Sequence, residues 1–385
     1  PKVRPYLALV ASAGRGKSAL LAHWVTRLAA NPNHNFDIVY FPISARYETN
    51  LESTIFSSLA GRLARLKGAP PPMMSDSSVL RETCLELLRT PPAEGRQWLI
   101  VLDALDESTG GWKPGTTIFP IIPPPHLRVV VAARTSAEID AAKWLSDLGW
   151  QRRYASSFDL PLLPRSAARE ILINLGAPVD LLSETPGFVD RLFDLSEGDP
   201  LVMRLYVDDL LDKGESARSL TLADLEHINP GLEGYFDGWI SDQERIWQAH
   251  DPLLREDVWA VIRLCALAKG RLCFDDFCAL APEHFSVAEQ IRRAVGYLKR
   301  FLDGDGAESG FVFNHPRLGE YFIKHRMTKA ERQLWQQKFI DYGDRVVSQL
   351  VYQEILPEEA PAYLVRYYGT HLDELGSDGE EKLTK

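Results

Sequence analysis

The apolar run Leu7, Ala8, Leu9, Val10 leads directly into Ala11-Ser12-Ala13-Gly14-Arg15-Gly16-Lys17-Ser18, a glycine-rich turn set between a strand and a helix. That setting is what a phosphate-binding P-loop requires. Backbone N–H groups of a tight turn, joined to the unpaired N–H groups of a helix N-terminus, make a concave site for anions. Ser12, Ala13, Gly14, Arg15, Gly16, Lys17, Ser18 and Ala19 are the candidate cradle. Gly14 and Gly16 let the backbone approach phosphate, Lys17 reaches the β and γ phosphates, and Ser18 binds a magnesium ion. The helix that follows places Leu21, Trp24, Val25 and Leu28 on one face and is stopped by Asn31 and Pro32. The pattern departs from the usual P-loop at Ala11, where glycine is expected and a Cβ must be tolerated.

At 385 residues the chain exceeds one ordinary core, and about 150 residues per domain predicts two to four domains. A hydrophobic content of 45% with 25% charged residues is that of a globular protein. The formal charge of -10 argues against a general binder of nucleic acid or anionic membrane, leaving nucleotide and protein as the expected partners. Cys84, Cys265, Cys273 and Cys278 lack zinc-site spacing and are expected to be buried free thiols in a reducing, cytoplasmic compartment. No apolar run reaches the roughly 18 residues that suggest a membrane span. The chain opens at Pro1 a few residues before its first strand, so the expectation is a core cut from a longer protein.

Phe36 to Phe41 reads as a buried strand, followed by a helix carrying Leu51, Ile55, Leu59 and Leu63 and, beyond Pro70, Pro71 and Pro72, a second helix from Val79 to Leu88. Two further apolar runs follow: Trp98 to Asp103 ends in an acid, and Arg128 to Arg134 ends in a base. Apolar, β-branched runs alternating with helices predict a parallel sheet covered on both faces over residues 1–160, with ligand chemistry at the carboxyl ends of the strands. Beyond Pro161 the pattern is helical through Ala167, Ile171, Leu172 and Leu175, a helix after Pro200, and Val258, Val261, Ile262 and Cys265. Helices over Phe274 to Leu280 and through Val287, Ile291, Ala294, Leu298 and Leu302, then a turn at Asp303-Gly304-Asp305-Gly306 and the alternating Phe311-Val312-Phe313, spell a winged helix. From Thr328 the chain is helical again, and Gly376 to Lys385 reads as a charged, disordered tail.

A magnesium-nucleotide site needs a carboxylate opposite the P-loop and, for hydrolysis, a group that orients water. Asp103 is placed for the metal. Asp106 or Glu107 is the candidate for polarising water, although both also suit the capping of a following helix. Arg134, beside Thr135 and Ser136, can sense a γ-phosphate and stabilise its charge, or form a surface ion pair.

The order of these motifs, with Leu102-Asp103-Ala104-Leu105-Asp106-Glu107, Arg134, Gly198-Asp199-Pro200, Phe313-Asn314-His315 and Glu320-Tyr321-Phe322, resembles the STAND class of signalling NTPases, in particular its NACHT branch. That class includes innate immune receptors, apoptotic ATPases and bacterial antiviral proteins. The resemblance implies an α/β P-loop domain over 1–160, a small helical domain over 161–245, a winged-helix domain over 246–327, and a helical linker over 328–385 that leads to an absent sensor. It implies that Pro200 packs on the adenine and His315 reaches a phosphate of ADP, that ADP holds a closed form, and that ATP releases an open form that oligomerises for innate immune or antiviral defence. The implied cofactors are ATP or ADP with Mg2+, the implied hydrolysis is slow, and a protein trigger would act through the absent sensor. Tyr363 to Leu372 resembles the helices that lead into such sensors.

Two other functions use the same residues. An ordinary P-loop ATPase or kinase would employ Lys17 and Asp103. A transcription regulator would lay a helix bearing Arg292, Arg293, Lys299 and Arg300 in a major groove, although the same four bases equally suit a solvated face or an oligomer contact.

Overall fold

The computed structural model describes residues 4–44, 49–73, 76–93, 95–108, 115, 118–136, 139–250 and 252–375. The tail at Gly376 to Lys385, expected to be disordered, lies outside them. The chain divides into two compact units, Pro1–Tyr235 and Phe236–Lys385.

The first unit is built on five parallel strands, β1 (Tyr6–Ala11), β2 (Phe36–Pro42), β3 (Gln97–Asp103), β4 (Leu127–Arg134) and β5 (Ala155–Asp159), in the order β2-β3-β4-β1-β5. The helices α1 (Lys17–Ala29), α2 (Glu52–Leu66), α3 (Ser77–Arg89) and α4 (Ala141–Asp147) connect them. Side chains alternate across a strand, so an uninterrupted apolar run feeds two cores at once. Trp98, Ile100 and Leu102 of β3 pack on one face with Ile55, Phe56 and Leu59 of α2, Leu80 and Cys84 of α3 and Trp144 of α4. Leu99 and Val101 pack on the other face with Leu21, Val25 and Leu28 of α1. The sheet is therefore covered on both faces, as the apolar runs predict. Trp24 is an exception: it is 38% exposed, rotated off the stripe that Leu21 buries.

Strand β5 escaped the sequence reading because Ala155-Ser156-Ser157-Phe158-Asp159 is polar at its outer end. It is an edge strand held by β1 alone, and only Ala155 in it is buried. The rest of the first unit is helical, with α5 (Arg165–Leu175), α6 (Phe188–Ser196), α7 (Pro200–Asp212) and α8 (Ala223–Glu226). The helix α9 (Gly231–His250) runs through position 245, where the sequence placed a domain boundary.

The second unit contains α10 (Pro252–Leu267), α11 (Phe274–Leu280), α12 (Ala288–Gly296), the antiparallel pair β6 (Leu302–Asp303) and β7 (Val312–Phe313), α13 (Pro316–His325), α14 (Lys329–Val351) and α15 (Ala362–Asp373). The helix expected to run to Leu302 ends at Gly296. Leu298 is buried beyond that end, and Leu302 enters β6 instead. Lys299 and Arg300 consequently leave the helix that carries Arg292 and Arg293, which breaks the four-base helical face considered for a major groove. Arg300 stacks 4.7 Å over Phe301, and Arg292 stacks 4.7 Å over Phe274. Of the cysteines, Cys84 and Cys265 are buried free thiols as expected, whereas Cys273 and Cys278 are half-buried.

Candidate nucleotide-phosphate site

Parallel pairing sets the carboxyl ends of β1, β4 and β3 side by side. Ala11 pairs with Arg134, and Leu102 with Val131, so the end of β4 separates the glycine-rich turn from the acidic end of β3. At the turn, Gly14 and Gly16 have φ of 79° and 84°, a left-handed backbone that costs an L side chain about 1–2 kcal/mol. Ala11 keeps strand geometry and is only 2% exposed, so its Cβ is an ordinary core group and the departure from glycine is absorbed by the sheet. A Cβ built on Gly16 would meet no heavy atom within 4 Å, which leaves open space at the start of α1. No acid stands in the first turn of α1 and no side chain caps it, so the positive end of that helix keeps its attraction for an anion.

Lys17 is the first residue of α1 and is 8% exposed. Its Nζ donates to the carbonyls of Ala11 at 2.8 Å and Ser12 at 3.1 Å, which folds the ammonium back onto its own loop. Burial lowers its pKa, and the charge of Asp106 is the largest opposing influence. Arg15 closes the turn by donating from Nε to Ser12 Oγ at 3.1 Å.

Asp103 ends β3 and is 3% exposed. Burial pushes its carboxyl above the usual range, against the opposing influence of the Ser18 and Tyr40 hydroxyls, the Ala104 N–H and the Lys17 charge. Tyr40 on β2 donates its hydroxyl to Oδ2 at 3.1 Å, while Oδ1 is buried without a hydrogen-bond partner. An unpartnered carboxylate oxygen in such a place costs desolvation energy that a cation would recover. One carboxylate and a serine hydroxyl, with phosphate oxygens and water completing the shell, fit Mg2+, which seldom takes an all-protein cage. Among the described residues there is no cluster of three or more His, Cys, Asp or Glu side chains suited to a metal. Ala104, next in the chain, has φ 59°, a strained left-handed residue that turns the backbone sharply after the acid.

Asp106 and Glu107 lie in a short 3-10 turn, Leu105–Glu107, and both carboxylates go to Arg134. Arg134 Nε meets Asp106 Oδ2 at 2.9 Å, its Nη2 meets Glu107 Oε1 at 2.9 Å, and its backbone N–H donates to Asp106 Oδ1 at 2.9 Å. The arginine thus forms an ion pair, the alternative its sequence left open, and it does so with the same two acids that are candidates for polarising water.

Gly198, with φ 70°, has no room for a Cβ: the carbonyl of Leu163 would stand 2.8 Å away. The turn it forms lets Asp199 cap α7, accepting from the N–H of Leu201 and Val202, with Pro200 as the first helical residue. Backbone bonds from Leu160 N–H to Val10 O and from Leu163 N–H to Gly198 O, each 2.9 Å, tie this turn through a few residues to the end of β1. His315 belongs to the second unit. It is the N-cap of α13, and its Nδ1 accepts from Arg317 N–H at 3.2 Å, which puts the proton of a neutral ring on Nε2.

Tyr40 was missed in the sequence. Its signal was a hydroxyl inside an apolar strand, two residues short of the strand end, since a buried tyrosine oxygen normally finds a polar partner.

A family model described as "Nephrocystin 3, N-terminal" matches residues 1–121, which include the glycine-rich turn and the three acids but not Arg134, Pro200 or His315. No curated protein matches the chain. Among solved structures, a STAND protein with a tetratricopeptide repeat sensor from Pyrococcus horikoshii is 13% identical at a TM-score of 0.44, covering 97% of this chain and 46% of that one. Cdc6p from Pyrobaculum aerophilum is 12% identical at a TM-score of 0.35, with coverage of 84% and 89%. ORC1 from Aeropyrum pernix, solved in complex with DNA, is 16% identical at a TM-score of 0.39, with coverage of 83% and 85%. The chain thus spans about half the length of the first of these. The five-stranded parallel sheet, with its glycine-rich turn leading from β1 into α1, is a P-loop NTPase-like α/β domain.

Proposed function

We propose that this protein is a nucleotide-dependent switch of the STAND type, in which ATP or ADP with Mg2+ binds at the turn Ser12–Ala19. One observation carries the reading: a left-handed glycine turn and an acid-free helix start stand beside a buried aspartate whose Oδ1 has no hydrogen-bond partner. Lys17 would exchange its two loop carbonyls for the β and γ phosphates, and Ser18 with Asp103 would hold the metal. Mg2+ would neutralise charge on the phosphates during transfer.

The pairing of Arg134 with Asp106 and Glu107 supports slow turnover. A carboxylate engaged by a guanidinium is a poor acceptor for a proton from water, so hydrolysis would first have to open this pair. A γ-phosphate, competing for Arg134, is the group able to do so. Slow hydrolysis suits a switch better than a motor or kinase.

By the resemblance alone, Pro200 and His315 are further nucleotide contacts, the helices and hairpin of residues 246–327 act as a winged helix, and oligomerisation on ATP serves immune or antiviral defence. The test is light scattering on the purified chain loaded with ADP or with a non-hydrolysable ATP analogue. A larger mass or radius with the ATP analogue alone supports the switch, and identical values with both nucleotides contradict it.

A further inference from the structure

The carboxylate of Asp103 is asymmetric in a way the phosphate site by itself does not require. The residue is 3% exposed, yet Oδ2 receives a tyrosine hydroxyl at 3.1 Å while Oδ1 is buried with no hydrogen-bond partner. The donor comes from a different strand. In the parallel register Tyr40 stands opposite Val101 and Pro42 opposite Asp103, so Tyr40 lies two residues behind the acid, on the same face of the sheet as Val101 and α1. From that position its ring reaches forward along the strand direction to the carboxylate.

Tyr40 is itself held. Its backbone carbonyl accepts from Arg62 Nη1 at 2.6 Å, and its ring packs against the core that contains Leu21 of α1. A rigid donor on one oxygen fixes rotation about the last torsion of the aspartate and so directs the other oxygen. Ser18, the second residue of α1, is the side chain the same site offers to a metal.

We propose that Tyr40 is a positioning residue for the magnesium ion of the bound nucleotide, pinning Oδ2 of Asp103 so that Oδ1 is presented to the cation. The inference rests on the nucleotide reading above. Partners that orient a metal ligand in this way typically control about 10–100-fold of metal affinity when removed. Loss of the Tyr40 hydroxyl leaves the ring, the strand and the glycine-rich turn in place, so it should weaken the metal and spare the nucleotide.

The experiment titrates Mg2+ into the full chain with a fluorescent ADP analogue, for the wild type and for Tyr40→Phe, and repeats the nucleotide titration in EDTA. The expected result is a Mg2+ midpoint raised by about tenfold in Tyr40→Phe with unchanged affinity in EDTA. Tyr6→Phe, which deletes another buried hydroxyl, one that donates to Pro120 O at 2.5 Å, should leave the midpoint unchanged. In an Asp103→Ala background, Tyr40→Phe should have no further effect. An unchanged midpoint in Tyr40→Phe, or equal weakening with and without Mg2+, overturns the inference while the nucleotide reading stands. A wild type that binds no nucleotide removes that reading first and the inference with it.

Discussion

Replacing Arg134 by alanine removes its side-chain ion pairs to Asp106 and Glu107, while the backbone N–H to Asp106 Oδ1 survives. The side chains of Arg134, Asp106 and Glu107 are 27%, 14% and 21% exposed, between the open surface and the core. Exposed pairs contribute roughly 0–1 kcal/mol, whereas breaking a buried pair costs about 3–5 kcal/mol. For ion pairs at this intermediate burial the loss should be about 2 kcal/mol, most of it from leaving two acids close together without their counter-charge. In a unit of 235 residues each kcal/mol shifts the melting temperature by roughly 2–4 °C, so Arg134→Ala should melt about 4–8 °C lower. Arg134→Lys keeps the charge but loses the planar fork, which cannot then serve both acids, and should recover no more than about half of that loss. Calorimetric melting of the three proteins in the absence of nucleotide is the assay. A change below about 0.5 kcal/mol for Arg134→Ala, or full recovery by lysine, would refute the view that this arginine holds the acidic turn.

His371 supplies a pH test in the second unit. It is fully buried, its Nε2 accepts the hydroxyl of Tyr363 at 2.7 Å, and burial, helped by the charge of Lys269, lowers its pKa from 6.5 to about 3. Below pH 6.5 the unfolded chain takes up a proton that the folded chain refuses. The stability is thus complete above that pH and lost as pH falls towards 3, by about 2 kcal/mol between pH 7 and pH 5. Urea unfolding at both pH values should show a shallower dependence in His371→Phe, and an unaltered slope would contradict the assignment. Gly198→Ala and Gly68→Ala place a Cβ at nearly the same φ, 70° and 71°, but only the first meets a carbonyl, at 2.8 Å, while the second meets nothing within 4 Å. Denaturant unfolding should find Gly198→Ala less stable than Gly68→Ala by at least about 1 kcal/mol, the usual cost of overpacking, and equal losses would show that the Leu163 carbonyl moves aside freely.

The parts of the fold legible in sequence were those with an unmixed signal. The apolar runs of β1 to β4 feed two cores and announce buried parallel strands; α11 spans the same Phe274–Leu280 that its spacing predicts. The polar edge strand β5 carried no such signal, because one neighbour and one buried residue suffice to hold it. The helix expected to reach Leu302 failed for a related reason: Leu298 and Leu302 continue the helical spacing, but they are buried after the helix has ended, where periodicity cannot distinguish a turn from a further helical turn. At the site, the strand-end position of Asp103 and the glycine turn were readable from local chemistry. The mutual pairing of Arg134 with Asp106 and Glu107 was not, since it depends on β4 lying between β1 and β3, a matter of strand order that no local pattern encodes.

The central claim is that the turn Ser12–Ala19 binds the phosphates of a nucleotide through Lys17. Isothermal titration of ADP and ATP, each with Mg2+, into the wild type and Lys17→Ala tests it most directly. The account predicts saturable binding to the wild type and none to the variant at the same concentrations, with both proteins folded by circular dichroism. Equal affinity in the two proteins, or no heat with the folded wild type, would contradict it.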